Sequence, residues 1–136
     1  MLSSIQFVKL PFLLHIAIET AAACSFIFKP GSQLSNPPAA AQLVLQQFAG
    51  LLLSTNLICL IFISRPFDKT SRQVAAALAF WHVWPCCRAY VRLKRPEVDG
   101  LGKEKGEATL KTLGGPAVHL SVHVGMFLLF VRTAMM

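Results

Sequence analysis

Four long apolar runs organise the chain, separated by short segments that collect most of the prolines and charges. The first covers about 10–28 and stops at Lys29-Pro30-Gly31. The second covers about 39–64 and is closed by Arg65-Pro66; the third covers about 71–93 and is closed by Lys94-Arg95-Pro96. The fourth covers about 114–131 and ends at Arg132. A basic residue with Pro or Gly after an apolar run marks a helix stop and a turn. Each run is near the ~20 residues a helix needs to cross hydrocarbon. Backbone polar groups in lipid are satisfied only inside a helix or a closed barrel, and this chain is too short for a barrel. Short connections make successive helices antiparallel. The expected fold is all-α: an integral membrane four-helix bundle, up-down-up-down, forming one multi-pass domain over 1–136.

Composition agrees with that pattern. Of 136 residues, 54% are hydrophobic and 14% charged, too few charges to cover a water-facing surface. The excess of 13 Lys+Arg over 6 Asp+Glu raises nucleic acid as a partner. The basic residues sit between apolar runs, as in membrane loops, and no nucleic-acid motif accompanies them. Nucleic acid is therefore excluded and the bilayer is the expected partner. Cys24, Cys59, Cys86 and Cys87 lie inside the apolar runs without C-x-x-C spacing, so they read as small hydrophobes. The segment 96–112 mixes acids, lysines and glycines and reads as a solvated, mobile loop. Residues 1–24 superficially resemble a signal peptide, but His15 and Glu19 interrupt its apolar region, so the segment is kept as the first helix. With four crossings, five basic residues fall on the side of the termini and eight on the other, which points to a cytosolic third loop. Ala17-Ala21, Gly50-Ser54 and Ala75-Ala79 have the spacing that lets helices approach closely in lipid.

The informative positions are the polar ones inside the runs. Glu19, His82 and His123 lie near the centres of the first, third and fourth helices, and antiparallel packing sets them at similar depth. His15 is one helical turn from Glu19, and His119 one turn from His123, on the same faces. Asn56 adds a polar group on the second helix. A charge at the bilayer centre costs ~2.5–3.5 kcal/mol, so these groups should face inward and find partners. Histidine and a buried carboxyl can hold an acid and a base near neutral pH. The plainer alternative is interhelical hydrogen bonding that only glues helices together.

His119-x-x-x-His123 has the spacing of a metal pair but lacks the Glu of H-E-x-x-H, and no C-x-x-C-H is present for haem. The residues assign no metal and no cofactor. Phe80-Trp81-His82-Val83-Trp84-Pro85 puts two tryptophans near the middle of a helix, away from the interfaces they favour. Pro85 should kink the helix beside His82. Trp81 and Trp84 are then either core aromatics or the wall of a lipophilic pocket. Arg88 should snorkel to the far interface.

Pro11-Phe12-Leu13-Leu14-His15-x3-Glu19, Gln47-x2-Gly50-Leu51-Leu52-Leu53-Ser54, and His82 with Arg88 late in a third helix resemble a group of small four-helix membrane proteins of filamentous fungi. Some are encoded in secondary-metabolite clusters, including the epoxide-hydrolase type of polyene-pyrone pathways such as citreoviridin and aurovertin. The plan also resembles DoxX-like membrane proteins. The likeness covers the first two-thirds of the chain. It implies a location in the endoplasmic reticulum or another endomembrane and a lipophilic small-molecule substrate. Only His15, Glu19 and His82 carry over.

Epoxide opening needs an acid for the leaving oxygen and a base for water or an internal hydroxyl. The expected function is thus a cofactor-independent hydrolase or cyclase acting on a lipophilic secondary metabolite. Glu19 is the candidate base or nucleophile, and His82 and His123 orient it or donate the proton. His15, Asn56, Trp81, Trp84, Arg88 and His119 are candidate substrate-binding residues. The alternative is a non-catalytic assembly partner or lipid-binding protein. A homo-oligomer is compatible with either.

Overall fold

The computed structural model describes residues 4–33, 37–95 and 115–136. Its described residues form four α-helices and one short 3-10 turn, with no strand among them. They are α1 (Ser4–Phe28), the turn Pro30–Ser32, α2 (Ala39–Ser64), α3 (Lys69–Lys94) and α4 (Gly115–Met135). The all-α expectation holds. The loop expected over 96–112 lies outside the described residues. The chain divides into two compact units, Met1–Arg72 and Gln73–Met136.

In the first unit α1 and α2 form an antiparallel hairpin. Lys9 Nζ donates to Ile63 O at 2.7 Å, and the Phe12 and Phe62 rings stack at 6.4 Å. Further along, Asn56 Nδ2 donates to Thr20 Oγ1 at 2.9 Å, and the Phe26 and Phe48 rings meet at 5.7 Å. Residue number rises along one helix as it falls along the other. Lys9 also supplies a donor to one of the last carbonyls of α2, which have no partner within their own helix. Helix α1 begins at Ser4, earlier than the span expected from about 10, and runs through Pro11. Only one ladder bond is lost there, and membrane helices tolerate this where neighbours re-satisfy the backbone. The chain reverses after Phe28: Gln33 N–H donates to Pro30 O, and Gln33 Nε2 to Ser25 Oγ, both at 3.0 Å.

Between α2 and α3 the chain turns at Arg65-Pro66, as the sequence indicates, since the residue before a proline is driven out of the helical region. Asp68 then caps α3. Ser71 N–H donates to Asp68 Oδ1 at 2.8 Å, the Ser71 hydroxyl donates to the same oxygen at 2.9 Å, and Asp68 N–H returns a bond to Ser71 Oγ at 3.3 Å. This reciprocal arrangement satisfies donors that the first helical turn cannot.

In the second unit α3 and α4 are again antiparallel. His82 bonds His123 and stacks on Phe130 at 5.7 Å. Helix α3 continues unbroken through Pro85 to Lys94, so the proline does not end it.

Three helical segments are long and apolar enough to cross a membrane: Phe7–Phe28, Ala39–Ser64 and Gly115–Met135, with mean hydropathy 1.7, 1.8 and 1.5. The expected span over 71–93 is a helix, but it is not among them. Trp81, His82, Trp84, Pro85 and Arg88 dilute its apolar character. Pairing with α4 nevertheless holds the middle of α3 beside the middle of an apolar span.

The surface is inverted relative to a water-soluble fold. Large apolar side chains point outward, such as Leu43, Leu57, Ile61 and Leu128, while the buried set includes His15, Glu19, Asn56, Ser71, His82, His123 and Thr133. Outward hydroxyls are satisfied within their own helices: Ser54 donates to Gly50 O at 2.9 Å and Ser121 to Ala117 O at 3.0 Å. Among the small-residue pairs, Ala75 and Ala79 are buried. Ala17, Ala21, Gly50 and Ser54 are exposed, and a Cβ built on Gly50 meets nothing within 4 Å. Among the described residues no helix packs closely on those two pairs, which corrects the sequence expectation for them.

If pairing with α4 carries α3 across as a fourth span, reporter fusions placed after Arg65 and after Met136 will lie on the same side of the membrane. Protease protection of tagged chains in sealed vesicles checks this; opposite sides would mean that α3 stays at the surface.

The cap at Asp68 yields a pH prediction. Bonds from the Ser71 N–H, and then from its hydroxyl, hold the Asp68 carboxyl below the ordinary carboxylate range. A lowered carboxyl pKa stabilises the cap above the unfolded value of about 3.9, and that stabilisation fades as pH falls through the lower folded value. Protection of the Ser71 amide against hydrogen exchange will therefore be constant at neutral pH and drop in acid. Asp68→Ala will remove it at both.

Candidate functional site

Each helix turns a stripe at helical spacing inward, and each stripe carries a polar group. On α1 the stripe is Phe12, His15, Glu19, Ala23 and Phe26; on α2 it is Ala49, Leu52, Asn56 and Cys59. On α3 the buried positions include Ala75, Leu78, Ala79, His82 and Ala89; on α4 they are His123, Met126, Phe130 and Thr133. Steps of three and four residues place these side chains on one face. His15, Glu19 and Asn56 lie in the first unit, and His82, His119, His123, Trp81, Trp84 and Arg88 in the second.

In the first unit, His15 is fully buried and its Nε2 lies 3.0 Å from Thr55 Oγ1. The Thr55 hydroxyl donates to Leu52 O at 2.8 Å. Its single proton is thus committed, so the His15 Nε2–H donates and Thr55 accepts, which fixes the proton-bearing nitrogen of His15. Glu19 is 2% exposed, one turn along the same stripe. Asn56 is buried and tied to Thr20. Sequence reading found His15, Glu19 and Asn56 but not Thr20 and Thr55. Their only signal is position, one residue after Glu19 and one before Asn56.

In the second unit, His82 and His123 are both buried, and their Nδ1 atoms are 2.8 Å apart. An imidazole nitrogen is either a donor or an acceptor, so one Nδ1 carries the proton of this bond and the other offers its lone pair. The two rings cannot both be imidazolium while the bond lasts, because both Nδ1 atoms would then carry hydrogen. The pair therefore presents one N–H that is shared and one nitrogen on each ring, Nε2, that completes the tautomer. His119 adds a third ring, edge to face against His123 with centroids 4.4 Å apart. The i,i+4 spacing foretold that neighbourhood.

The other sequence candidates divide. Trp81 is half-buried with its indole nitrogen inside. Trp84 is 62% exposed and meets the exposed Phe80 ring edge-on at 6.2 Å, so it points outward rather than into the core. The helical register explains this, since Trp84 is two residues from inward-facing His82 and therefore on another face. Arg88 is half-buried near the polar end of α3. Cys59 is buried, Cys24 and Cys87 are exposed, and all four cysteines are free thiols.

Beside Trp84's face, α3 and α4 enclose an open apolar groove of about 300 Å³, lined by Ala76, Ala79, Phe80, Phe127 and Val131 among others.

Comparison with protein-family models, with curated proteins and with solved structures returns no match.

Two substitutions separate the interior from the surface. Replacing His123 with Leu leaves the buried Nδ1 of His82 without its bond and will cost about 1–3 kcal/mol in unfolding assays in mixed micelles. Trp84→Ala, on an exposed face, will change stability by no more than about 0.5 kcal/mol.

Proposed function

We propose that the protein is a membrane-embedded acid–base hydrolase or cyclase that acts on a lipophilic metabolite, with epoxide opening as its reaction. The observation that carries this reading is the buried His82–His123 bond. A pair that shares one proton contains an acid and a base at once. The ring whose Nδ1 donates has a free Nε2 lone pair that can take a proton from water or a substrate hydroxyl; its Nδ1 proton passes to the other ring, whose Nε2–H goes to the leaving oxygen of a strained ring. Exclusion of bulk water from such a site strengthens both interactions. The resemblance to fungal secondary-metabolite proteins supports the same substrate class. An endomembrane location fits substrates that partition into lipid.

A second reading is a lipid-binding protein or assembly partner without chemistry, and the open apolar groove on α3 and α4 favours it. In that case the histidine pair is interhelical glue, ~0.6–2 kcal/mol in lipid.

The test is co-expression with candidate pathway enzymes, with membrane levels checked by blot. His82→Gln and His123→Gln will each lower conversion by about two orders of magnitude, the usual scale for one acid–base group. The double variant will lose little more than either alone, since groups acting as a unit are not additive. Glu19→Gln is a separate arm: it keeps the size but removes the ionisable proton, and conversion will fall similarly if Glu19 is a base or nucleophile. Normal product from His82→Gln and His123→Gln proteins at normal level would overturn the catalytic reading and leave the lipid-binding one.

A further inference from the structure

A buried acid that has given up its proton needs a route by which water restores it. In the second unit, toward the interior, His123 bonds His82 at 2.8 Å, and both rings are buried. In the other direction, His119 lies one turn earlier on α4 and is half-buried, its ring 4.4 Å from that of His123 and tilted by 65°. Arg88 and Arg92 of α3 act electrostatically on His119. In the antiparallel hairpin this is the end where the basic C-terminal turn of α3, with Arg92 and Lys94, meets the start of α4. Three imidazoles thus stand in file from a half-buried position near the basic helix ends to a fully buried one.

We infer that His119, His123 and His82 form a proton relay that carries protons between water at the basic end of the α3–α4 hairpin and the buried ring of His82. The inference rests on the acid–base reading for its purpose and assigns His119 a relay role without contact with substrate. The steps balance. A proton leaves a ring nitrogen of protonated His119 and binds Nε2 of His123, which becomes the imidazolium. His123 then gives its Nδ1 proton along the 2.8 Å bond to Nδ1 of His82. His123 is left neutral with its proton on Nε2, and His82 carries the charge until its own Nε2–H is released. Each ring gains one proton and loses one, and no other bond is made or broken. The edge-to-face contact of His119 and His123 becomes a nitrogen-to-nitrogen contact by ring rotation about χ2, a torsion with broad minima. A ring that served only as packing would need neither nitrogen.

The experiment measures exchange of the His82 ring N–H with water by NMR, on full-length protein labelled with 15N-histidine in lipid nanodiscs. His119→Phe keeps an aromatic ring of similar shape and removes both nitrogens. Acid–base partners contribute factors of a hundred or more, so exchange at His82 will slow by at least about tenfold in the variant. Backbone amide exchange along α4 will stay as in the parent. Unchanged exchange at His82 would overturn the relay. A change in the α4 amides in step with His82 would overturn it too, since hairpin opening would then carry the protons. Should the Phe variant fail to fold, His119→Gln, which also carries no transferable ring proton, decides by the same criterion. The measurement uses no substrate. Slowed exchange with normal product from His123→Gln would keep the relay and sink the acid–base reading; the reverse pair of results would keep the reading and sink the relay.

Discussion

Hydrocarbon offers a polar side chain no partner, and every helix of this protein carries at least one polar side chain that must be kept from it. The structure follows from that constraint. Each helix rotates so that its polar position joins a stripe of small, aromatic and a few leucine residues facing inward, while side chains such as Leu43, Val44, Leu57, Ile61 and Leu128 are left outside. Apolar surface cannot drive this rotation, since a leucine is as comfortable in lipid as in the interior. Hydrogen bonds and packing around the polar groups must do so. The bond from His15 to Thr55 and that from Asn56 to Thr20 set the register of α1 on α2, with Lys9 at one end and the Phe26–Phe48 pair toward the other. The His82–His123 bond sets the register of α3 on α4.

The same bond explains why α3 can be the least apolar helix. Its tryptophans, proline and arginine weaken its own case for crossing the bilayer, while α4 is apolar enough to insert by itself. A shared proton makes the histidine pair cheaper to bury than two separate rings, because one donor and one acceptor cancel where each alone would be orphaned. On the proposed acid–base reading, stability and chemistry draw on one feature: the pair that fixes the hairpin also shares a proton away from water.

The helices were legible because their limits are written in hard chemistry. Arg65-Pro66 closes α2 where the sequence says, and Lys29-Pro30-Gly31 closes α1. The start of α1 was not legible, because the apolar run reads only from about residue 10, while the structure carries the helix back to Ser4. Polar positions were legible as a set, since lipid gives each one a reason to face inward, and His15, Glu19, Asn56, His82 and His123 are all buried. Their partners were not. Thr20 and Thr55 are ordinary hydroxyl residues in a sequence with many, and pairing depends on helix rotation, which an almost uniformly apolar run does not encode. The same weakness misled the reading of Gly50-Ser54. Small residues and tryptophans fit a lipid-facing position as well as an interior one, so spacing alone could not choose.

That contrast sorts the polar residues of the spans into two kinds. Ser54, Ser64 and Ser121 bond to carbonyls of their own helices at 2.8–3.0 Å, so they are satisfied wherever the helix points. They place no demand on a neighbour and carry no information about packing. Histidine and asparagine have no such refuge, because their polar atoms stand too far from the backbone for a good bond within the turn. Each therefore obliges a second helix to supply a partner, and in doing so holds a defined proton at a defined depth: on Nε2 of His15, and between the two Nδ1 atoms of His82 and His123. The presence of the second kind, on stripes that alanine and phenylalanine already fill well, is what places ionisable rings where protons can be moved, and it is why the functional reading rests on the histidines rather than on the hydroxyls.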